Sequence, residues 1–167
     1  MSKIPSKLPA AFFRRPALEL AKDLLGTILV RRYRSQCLRA RIVETEAYVG
    51  PHDLACHASR GRTKRTEVLF GPGGHAYVYL IYGIHEMFNI VSGEADDPQA
   101  VLVRAAESLD GWQADLSGPG KLTRALHITR ALNGEDLTGD NLFLLADPDY
   151  QPAIVQTVRV GIDYAKE

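Results

Sequence analysis

Residues 40–57, ARIVETEAYVGPHDLACH, set two carboxylates, a tyrosine and two histidines around one strand and one turn. Residues 41–48 alternate in the manner of a half-buried β-strand. The alternation predicts one shared face, formed by Ile42, Glu44, Glu46 and Tyr48. The glycine-proline pair at 50–51 ends the strand, because proline has no N–H for a strand ladder. His52 and His57 then lie on the loop that follows.

This acidic strand is compatible with several kinds of protein. The simplest is a solvated edge with structural salt bridges. A sugar hydrolase would use Glu44 and Glu46 as a pair, since alternate strand positions lie about 7 Å apart. A metal site would combine Glu46 with His52 and His57, although these lack helical ligand spacing. A carboxylate buried at a working site is the remaining alternative, and the strand alone leaves all of these open.

Length and charge favour one domain with an uneven charge distribution. A chain of 167 residues with 46% hydrophobic content suits a single compact domain, residues 1–167. The formal net charge is zero, yet residues 1–65 hold 14 basic and 5 acidic residues, whereas residues 66–167 hold 6 and 15. A basic face on a neutral protein is therefore expected.

Cysteine content and hydropathy favour a protein of the cell interior. Cys37 and Cys56 lack the spacing of a disulfide framework or of a zinc site. Pro5 and Pro9 interrupt the N-terminal stretch before an apolar run of signal-peptide length forms. No segment approaches the roughly 20 apolar residues of a membrane span. We expect no membrane partner and no metal.

Two stretches are candidates for phosphate contact. Residues 60–65, RGRTKR, carry Arg60, Arg62, Lys64 and Arg65 directly after His57. Such a run is either a solvated loop or a contact with phosphates. Residues 117–121, SGPGK, place Gly120 and Lys121 at the start of a predicted helix that continues to Gly134. Free N–H groups at a helix start bind phosphate, but a glycine there is as often only a cap.

Residues 75–91, HAYVYLIYGIHEMFNIV, predict a β-hairpin with Tyr82 and Gly83 at its tip. Tyr77 and Tyr79 share one face of its first strand. A large ring at a hairpin tip has little protein to pack on, so Tyr82 is a candidate for contact with a partner.

Three further elements complete the prediction. Residues 100–106 form an apolar strand interrupted by Arg104, a charge that needs a partner such as Glu46 or Glu44 if it is buried. Residues 16–26 predict a core helix whose apolar positions are Leu18, Ala21, Leu24 and Leu25. Residues 154–162 predict a last strand.

Together, five motifs in chain order resemble the alkyladenine DNA glycosylases, also called 3-methyladenine or N-methylpurine DNA glycosylases. They are RIVETEAYVGPHDLACH, YVYLIYGIHEMFNIV, VLVRAAE, SGPGKL and RVGI. The resemblance implies an α+β fold: one mixed domain built on a curved, mainly antiparallel β-sheet with flanking helices and a protruding β-hairpin. It implies hydrolysis of the bond between a damaged purine and deoxyribose, with no cofactor and no lyase activity.

The same resemblance implies a role for each matching position. Glu46 matches the general base, and Arg104 matches the residue that helps to hold its water. The base pocket matches Tyr48, His57, Tyr79, Asn89, Val160 and Gly161, among which Asn89 excludes normal guanine. Tyr82 matches the side chain that intercalates into DNA. Glu44 has no comparable role and is expected to be structural.

The resemblance also implies a partner and a setting. The partner is double-stranded DNA containing damaged purines, bound by a monomer located in the cytoplasm, at the nucleoid in a bacterium or in the nucleus of a eukaryote. Members of the family usually continue past the RVGI motif into a further strand-like stretch, which this sequence is expected to lack. A non-enzymatic DNA-binding module remains an alternative, since it would keep the basic loop and Tyr82 but would not need Glu46 beside Arg104.

Overall fold

A computed structural model describes residues 4–159, and these form one antiparallel sheet with short helices. The strands are β1 (Ser6–Lys7), β2 (Ile28–Tyr33), β3 (Gln36–Tyr48), β4 (Ala76–Ile81), β5 (His85–Ser92), β6 (Gln99–Ser108) and β7 (Leu142–Ala146). The α-helices are α1 (Ala10–Phe13), α2 (Ala17–Leu24) and α3 (Pro119–Ala125). The 3₁₀ turns are His57–Arg60, Glu67–Phe70 and Arg130–Leu132. The strand order β1-β7-β2-β3-β6-β5-β4 puts β3 and β6 at the centre.

The main core lies between the sheet and helices α2 and α3. Leu20 and Leu24 of α2 and Leu122 of α3 are completely buried there. The prediction that Leu18 belongs to the core is wrong. Leu18 is 55% exposed, and the buried face of α2 contains Ala17 and Leu20 instead. The opposite face of the sheet is covered by the loop between β3 and β4, which packs around Tyr77.

A β-bulge in β3 changes the predicted face pattern. The pairing of β3 with β6 shifts between Ile42 and Glu44, and again between Glu44 and Thr45. As a result Ile42 belongs to the main core, whereas Tyr48 packs with the cluster on the opposite face. The prediction of one face shared from Ile42 to Tyr48 is therefore wrong, because a bulge adds a residue and offsets the alternation.

The β4–β5 hairpin is confirmed, with Tyr82 at its tip. Tyr82 and Gly83 both take left-handed backbone angles, with φ of 53° and 70°. Ile84 N donates to Ile81 O across the turn. Two positive φ values in succession define the turn whose twist matches that of a hairpin. Tyr82 is 85% exposed.

Two predicted elements differ from the prediction. Helix α3 ends at Ala125 because His127 takes a left-handed φ of 53°. Its ring stacks on Tyr33 at 4.1 Å, and its carbonyl accepts from Arg31, so tertiary contacts hold the break. Residues 154–159 are not a strand, and residues 160–162 lie outside the described part of the chain.

The architecture is α+β, as predicted: an antiparallel sheet that does not close into a barrel, with a few flanking helices. Across residues 4–159, the helices are all too short or too polar to cross a membrane.

Candidate active site

Strand register places four side chains in one row across the sheet. Glu46 of β3 lies opposite Leu102 of β6, which lies opposite Asn89 of β5. Asn89 in turn lies opposite Tyr77 of β4. Directly opposed residues of antiparallel strands point to the same face, so Glu46, Asn89 and Tyr77 face the loop between β3 and β4. Arg104, two residues beyond Leu102, faces the same way.

Glu46 is a buried carboxylate held by an arginine. Its side chain is 6% exposed, and Arg104 Nη1 donates to its Oε1 at 2.8 Å. Arg104 Nε lies 3.3 Å from Glu44 Oε1, and Glu44 is 54% exposed. The expected pairing of Arg104 with these acids is confirmed. A buried charge pair of this kind orients its carboxylate, because the guanidinium presents its donors in a fixed plane.

An aromatic pocket lies beside the end of β3, and Tyr48, two residues after Glu46, is one of its lining residues. Tyr48, His57, Tyr79 and Asn89 line it together with Tyr77. His57 and Tyr79 are 4.4 Å apart between ring centroids, and Tyr77 and Tyr79 are 5.3 Å apart. The structure thus brings together four residues that sequence reasoning assigned to a base pocket. Its volume is about 40 Å³.

Tyr77 is a pocket residue that sequence reasoning missed. Its hydroxyl lies 2.9 Å from His57 Nδ1, and its carbonyl accepts from Asn89 Nδ2 at 3.3 Å. Burial raises the pKa of the Tyr77 hydroxyl. The alternation of Tyr77 with Tyr79 on one strand face was a signal for this placement.

The His57 ring is neutral at physiological pH. Its burial, with help from the nearby charges of Arg65 and Arg60, lowers its pKa to about 4. A neutral ring beside two tyrosines gives the pocket no positive charge from this position. A pocket wall with a neutral imidazole repels a positively charged ligand less than a wall with an imidazolium would.

We predict that His57 makes the stability of the protein depend on pH. Between its folded pKa of about 4 and its unfolded pKa of about 6.5, the unfolded chain binds more protons. The free energy of unfolding should therefore fall as the pH decreases from about 6.5 to about 4, and it should be insensitive to His57 above that window. Urea unfolding of the parent and of His57→Gln across pH 4–8 measures the difference. Parallel curves would contradict the prediction.

A buried ion pair joins the loop after β3 to the end of the described chain. Arg159 Nη1 and Nη2 donate to Asp53 at 2.6 and 3.0 Å. The Arg159 guanidinium also lies over the ring of Tyr48, 5.0 Å from its centroid. No local pattern indicated this pair, because its members are 106 residues apart. It therefore had no signal in the sequence.

A second, larger cavity adjoins Glu46. It has a volume of about 640 Å³ and lies between α2, β3 and residues 154–159. Glu44, Glu46 and Asp53 are among its lining residues. These three carboxylates thus border a cavity that is large enough to hold a ligand.

The four cations of the basic loop are all exposed, and Arg62 is also ion-paired. Arg62 donates to Glu67 at 2.6 Å and to Asp96 at 3.1 Å, and these contacts raise its pKa. Arg65 lies over Tyr79, which lines the aromatic pocket, 5.6 Å from the ring centroid. Arg60 and Lys64 are exposed.

Gly120 and Lys121 start helix α3, as predicted. A side chain at Gly120 would meet His85 Nδ1 at 2.8 Å, so the glycine allows the helix to approach the hairpin closely. Lys121 lies 3.0 Å from Asp115, whose pKa is lowered to about 2 by Ser117 and Lys121. The remaining predicted pocket residues, Val160 and Gly161, lie outside the described residues.

The metal alternative finds no geometric support between residues 4 and 159. Within that part of the chain, no group of three His, Cys, Asp or Glu side chains is placed to hold a metal ion. His52 borders the larger cavity, whereas His57 borders the aromatic pocket. The two histidines therefore line different cavities.

Comparison with known proteins bears directly on this site. The family model for methylpurine-DNA glycosylases matches residues 11–167. Three relatives are provisionally named 3-methyladenine DNA glycosylases. The Methanocella arvoryzae protein is 46% identical, covering 96% of this chain and 86% of the relative. The Myxococcus xanthus protein is 50% identical over 95% and 83%, and the Carboxydothermus hydrogenoformans protein is 47% identical over 96% and 91%.

The protein has a buried carboxylate beside an aromatic pocket, and the family model matches almost the whole length of the chain. This match defines the protein as an enzyme that hydrolyses N-glycosyl bonds in DNA. The chain belongs to the methylpurine-DNA glycosylase family.

Proposed function

We propose that this protein flips a damaged purine out of duplex DNA and hydrolyses its N-glycosidic bond with a water activated by Glu46. The observation that carries the proposal is the placement of buried Glu46, paired with Arg104 at 2.8 Å, on the sheet face that carries the aromatic pocket. A flipped base held between aromatic rings would present its sugar bond to this carboxylate. Arg104 serves as the positioning residue for Glu46 and for the water.

The chemistry follows from the charge of the substrate. Alkylation of a purine ring nitrogen leaves positive charge, and a cation over a tyrosine face gains roughly 0.5–2 kcal/mol. Tyr48 and Tyr79 supply such faces, and neutral His57 adds no repulsion. Because the charged base is a good leaving group, one carboxylate is enough to activate water and to stabilise the oxocarbenium ion that develops.

The aromatic pocket must widen to take a base. Its volume of about 40 Å³ lies below the roughly 300 Å³ at which ligand pockets begin. Arg65 lies over Tyr79, so it has to move if a base is to stack on that face of the ring. The cost of flipping, a few kcal/mol, falls for damaged or mispaired bases, and this favours lesions before any contact in the pocket does.

We propose 3-methyladenine and 7-methylguanine as substrates, with hypoxanthine and ethenoadenine as further candidates, and a monomer as the acting form. The test is release of free base from a duplex that carries one 7-methylguanine, followed by chromatography. Release proportional to active enzyme supports the proposal. Tight binding of the same duplex without release would support a non-enzymatic binding module instead.

We predict that Asn89→Ser relaxes discrimination against guanine. Asn89 is 3% exposed, and its Nδ2 donates to the Tyr77 carbonyl. The amide is thus held in place, and we expect it to clash with the 2-amino group that guanine has and adenine lacks. Replacing a buried side chain that excludes one base by such a clash is expected to change selectivity by about tenfold or more.

The measurement compares release of guanine from mispaired sites by the parent and by Asn89→Ser. The matched control is Asn133→Ser, which removes an amide that accepts from Val78 N on the same hairpin but does not line the pocket. An equal increase in both variants, or no increase in Asn89→Ser, would assign selectivity elsewhere.

We predict that Lys64 and Arg65, but not Arg62, contribute to the salt dependence of DNA binding. The logarithm of the binding constant falls linearly with the logarithm of the salt concentration, and each phosphate contact that is lost makes this slope shallower by about 0.9. All three side chains are exposed, but Arg62 already forms ion pairs with Glu67 and Asp96.

The affinity for undamaged duplex is measured between 50 and 200 mM salt. Over this range a protein that makes 6–10 phosphate contacts loses about 10³- to 10⁵-fold in affinity. The double variant Lys64→Gln with Arg65→Gln should have a shallower slope, while Arg62→Gln should keep the parental slope. Arg34→Gln, at the exposed β2–β3 turn, is the control for charge alone. Equal slopes in all variants would make the run a solvated loop.

A further inference from the structure

Asp53 is a buried carboxylate that joins three parts of the site. It is 4% exposed. It accepts from Val49 N, directly after Tyr48, at 3.1 Å, and from Ala55 N, two residues before His57, at 3.1 Å. Its third partner is Arg159, at 2.6 and 3.0 Å. One side chain thus links the end of β3, the loop that carries His57 and the segment that follows β7.

Arg159 also contacts the part of β3 that lines the aromatic pocket. Its Nη1 also donates to the carbonyl of Ala47 at 3.1 Å, between Glu46 and Tyr48 in the chain. Its guanidinium lies over the Tyr48 ring, 5.0 Å from the centroid. This contact restrains the orientation of the Tyr48 ring.

We propose that Asp53 and Arg159 are a positioning pair for base removal, an inference that rests on the proposed function. The pair fixes the Tyr48 ring and the backbone beside Glu46, so that a base stacked on Tyr48 presents its sugar bond to the carboxylate. Neither residue touches the reacting atoms. Both act through Tyr48 and through the β3 backbone.

The energetics favour positioning over simple stabilisation. Taking two opposite charges out of water costs about as much as their attraction returns, so an apolar pair of the same shape would hold the chain equally well. A bidentate arginine–carboxylate pair adds fixed geometry. Misplacement of a reacting group by about 1 Å can cost about a hundredfold in rate, so geometry at Tyr48 matters to turnover.

The chain supplies a matched control in Arg41. Arg41 donates to the Gly26 carbonyl at 2.7 Å and to Asp147 at 3.0 Å, and it lies 3.9 Å from the ring centroid of Tyr150. The contacts are of the same three kinds as those of Arg159. Arg41 is six residues earlier than Ala47 on β3, about 20 Å away along the strand, so it stabilises the same fold without touching the pocket.

The test compares Arg159→Met, Arg159→Lys, Asp53→Asn and Arg41→Met in three measurements. These are the single-turnover rate of base release at saturating enzyme, the Kd for duplex containing an abasic-site analogue, and the melting temperature. We expect Arg159→Met and Asp53→Asn to lower the rate by about 10- to 100-fold. Their Kd should stay unchanged, since the analogue has no base to stack on Tyr48.

Arg159→Lys keeps the charge and should recover part of the rate. Arg41→Met should lower the melting temperature as much as Arg159→Met does and keep the parental rate per folded molecule. If Arg159→Met does not fold, Arg159→Lys is expected to retain the melting temperature and still to lose rate.

The inference is overturned if Arg41→Met loses as much rate as Arg159→Met, or if the Asp53 and Arg159 variants keep the parental rate. It is also overturned if their Kd for the abasic analogue rises in proportion to the loss of rate. A parent protein that releases no base contradicts the proposed function instead, so the two failures are distinguishable.

Discussion

Replacing Glu46 by Gln is expected to reduce base release by about 10²- to 10⁴-fold, the typical contribution of a general base. The amide cannot accept the proton of the attacking water, and it removes the negative charge that faces the oxocarbenium ion. Binding should persist, because Glu46 is 7% exposed and lies below the surface that DNA would contact. Single-turnover release and duplex affinity, measured on the same preparation, separate the two effects.

Glu44→Gln is the matched control for this change. Both carboxylates contact Arg104, but Glu44 is largely exposed. Its replacement should leave release close to the parental rate. An equal loss in the two variants would favour a paired-acid mechanism, and parental activity in Glu46→Gln would remove Glu46 from the chemistry. Melting temperatures check that Arg104, which loses a charged partner in either variant, does not unfold the site.

Replacing Tyr82 by Ala is expected to weaken engagement of damaged duplex by roughly fivefold to a hundredfold, since stacking of a base on an aromatic ring is worth about 1–3 kcal/mol. Tyr82 is 85% exposed, and it holds a left-handed backbone angle that costs a non-glycine residue about 1–2 kcal/mol. An exposed ring kept on a strained turn gains little from its own fold. We expect it to fill the gap that the flipped nucleotide leaves.

Single-turnover release of hypoxanthine from duplex and from single-stranded DNA tests this role. The loss in Tyr82→Ala should be smaller on single strands, where no stack needs filling, and Tyr82→Leu should be milder because apolar side chains also act as wedges. Melting temperatures should hardly change. A large fall in melting temperature with equal slowing on both substrates would make Tyr82 a packing residue.

The sequence predicts those parts of the site that depend on local pattern. A tyrosine that precedes glycine between two apolar strands predicts that Tyr82 lies at a hairpin tip, and the structure confirms this position. A charge inside an apolar strand needs a partner if it is buried, which predicts a carboxylate such as Glu46 or Glu44 beside Arg104. The structure supplies Glu46 at 2.8 Å.

Long-range register and tertiary contacts lie beyond local pattern. The bulge near Glu44 exists only in the pairing of β3 with β6, so alternation alone put Ile42 on the wrong face. The end of α3 depends on the stacking of His127 against Tyr33, which are 94 residues apart in the chain. The Asp53–Arg159 pair is likewise formed between distant segments.

The most direct test of the central claim uses a duplex that carries a single hypoxanthine. The duplex is incubated with the parent and with Glu46→Gln, and each sample is divided, with one half treated with hot alkali. The account predicts strand cleavage only after alkali for the parent, with one free base released per cleavable site, and almost none for Glu46→Gln. Strand cleavage without alkali, or the same measurable alkali-dependent cleavage by the two proteins, would contradict base removal by a water that Glu46 activates.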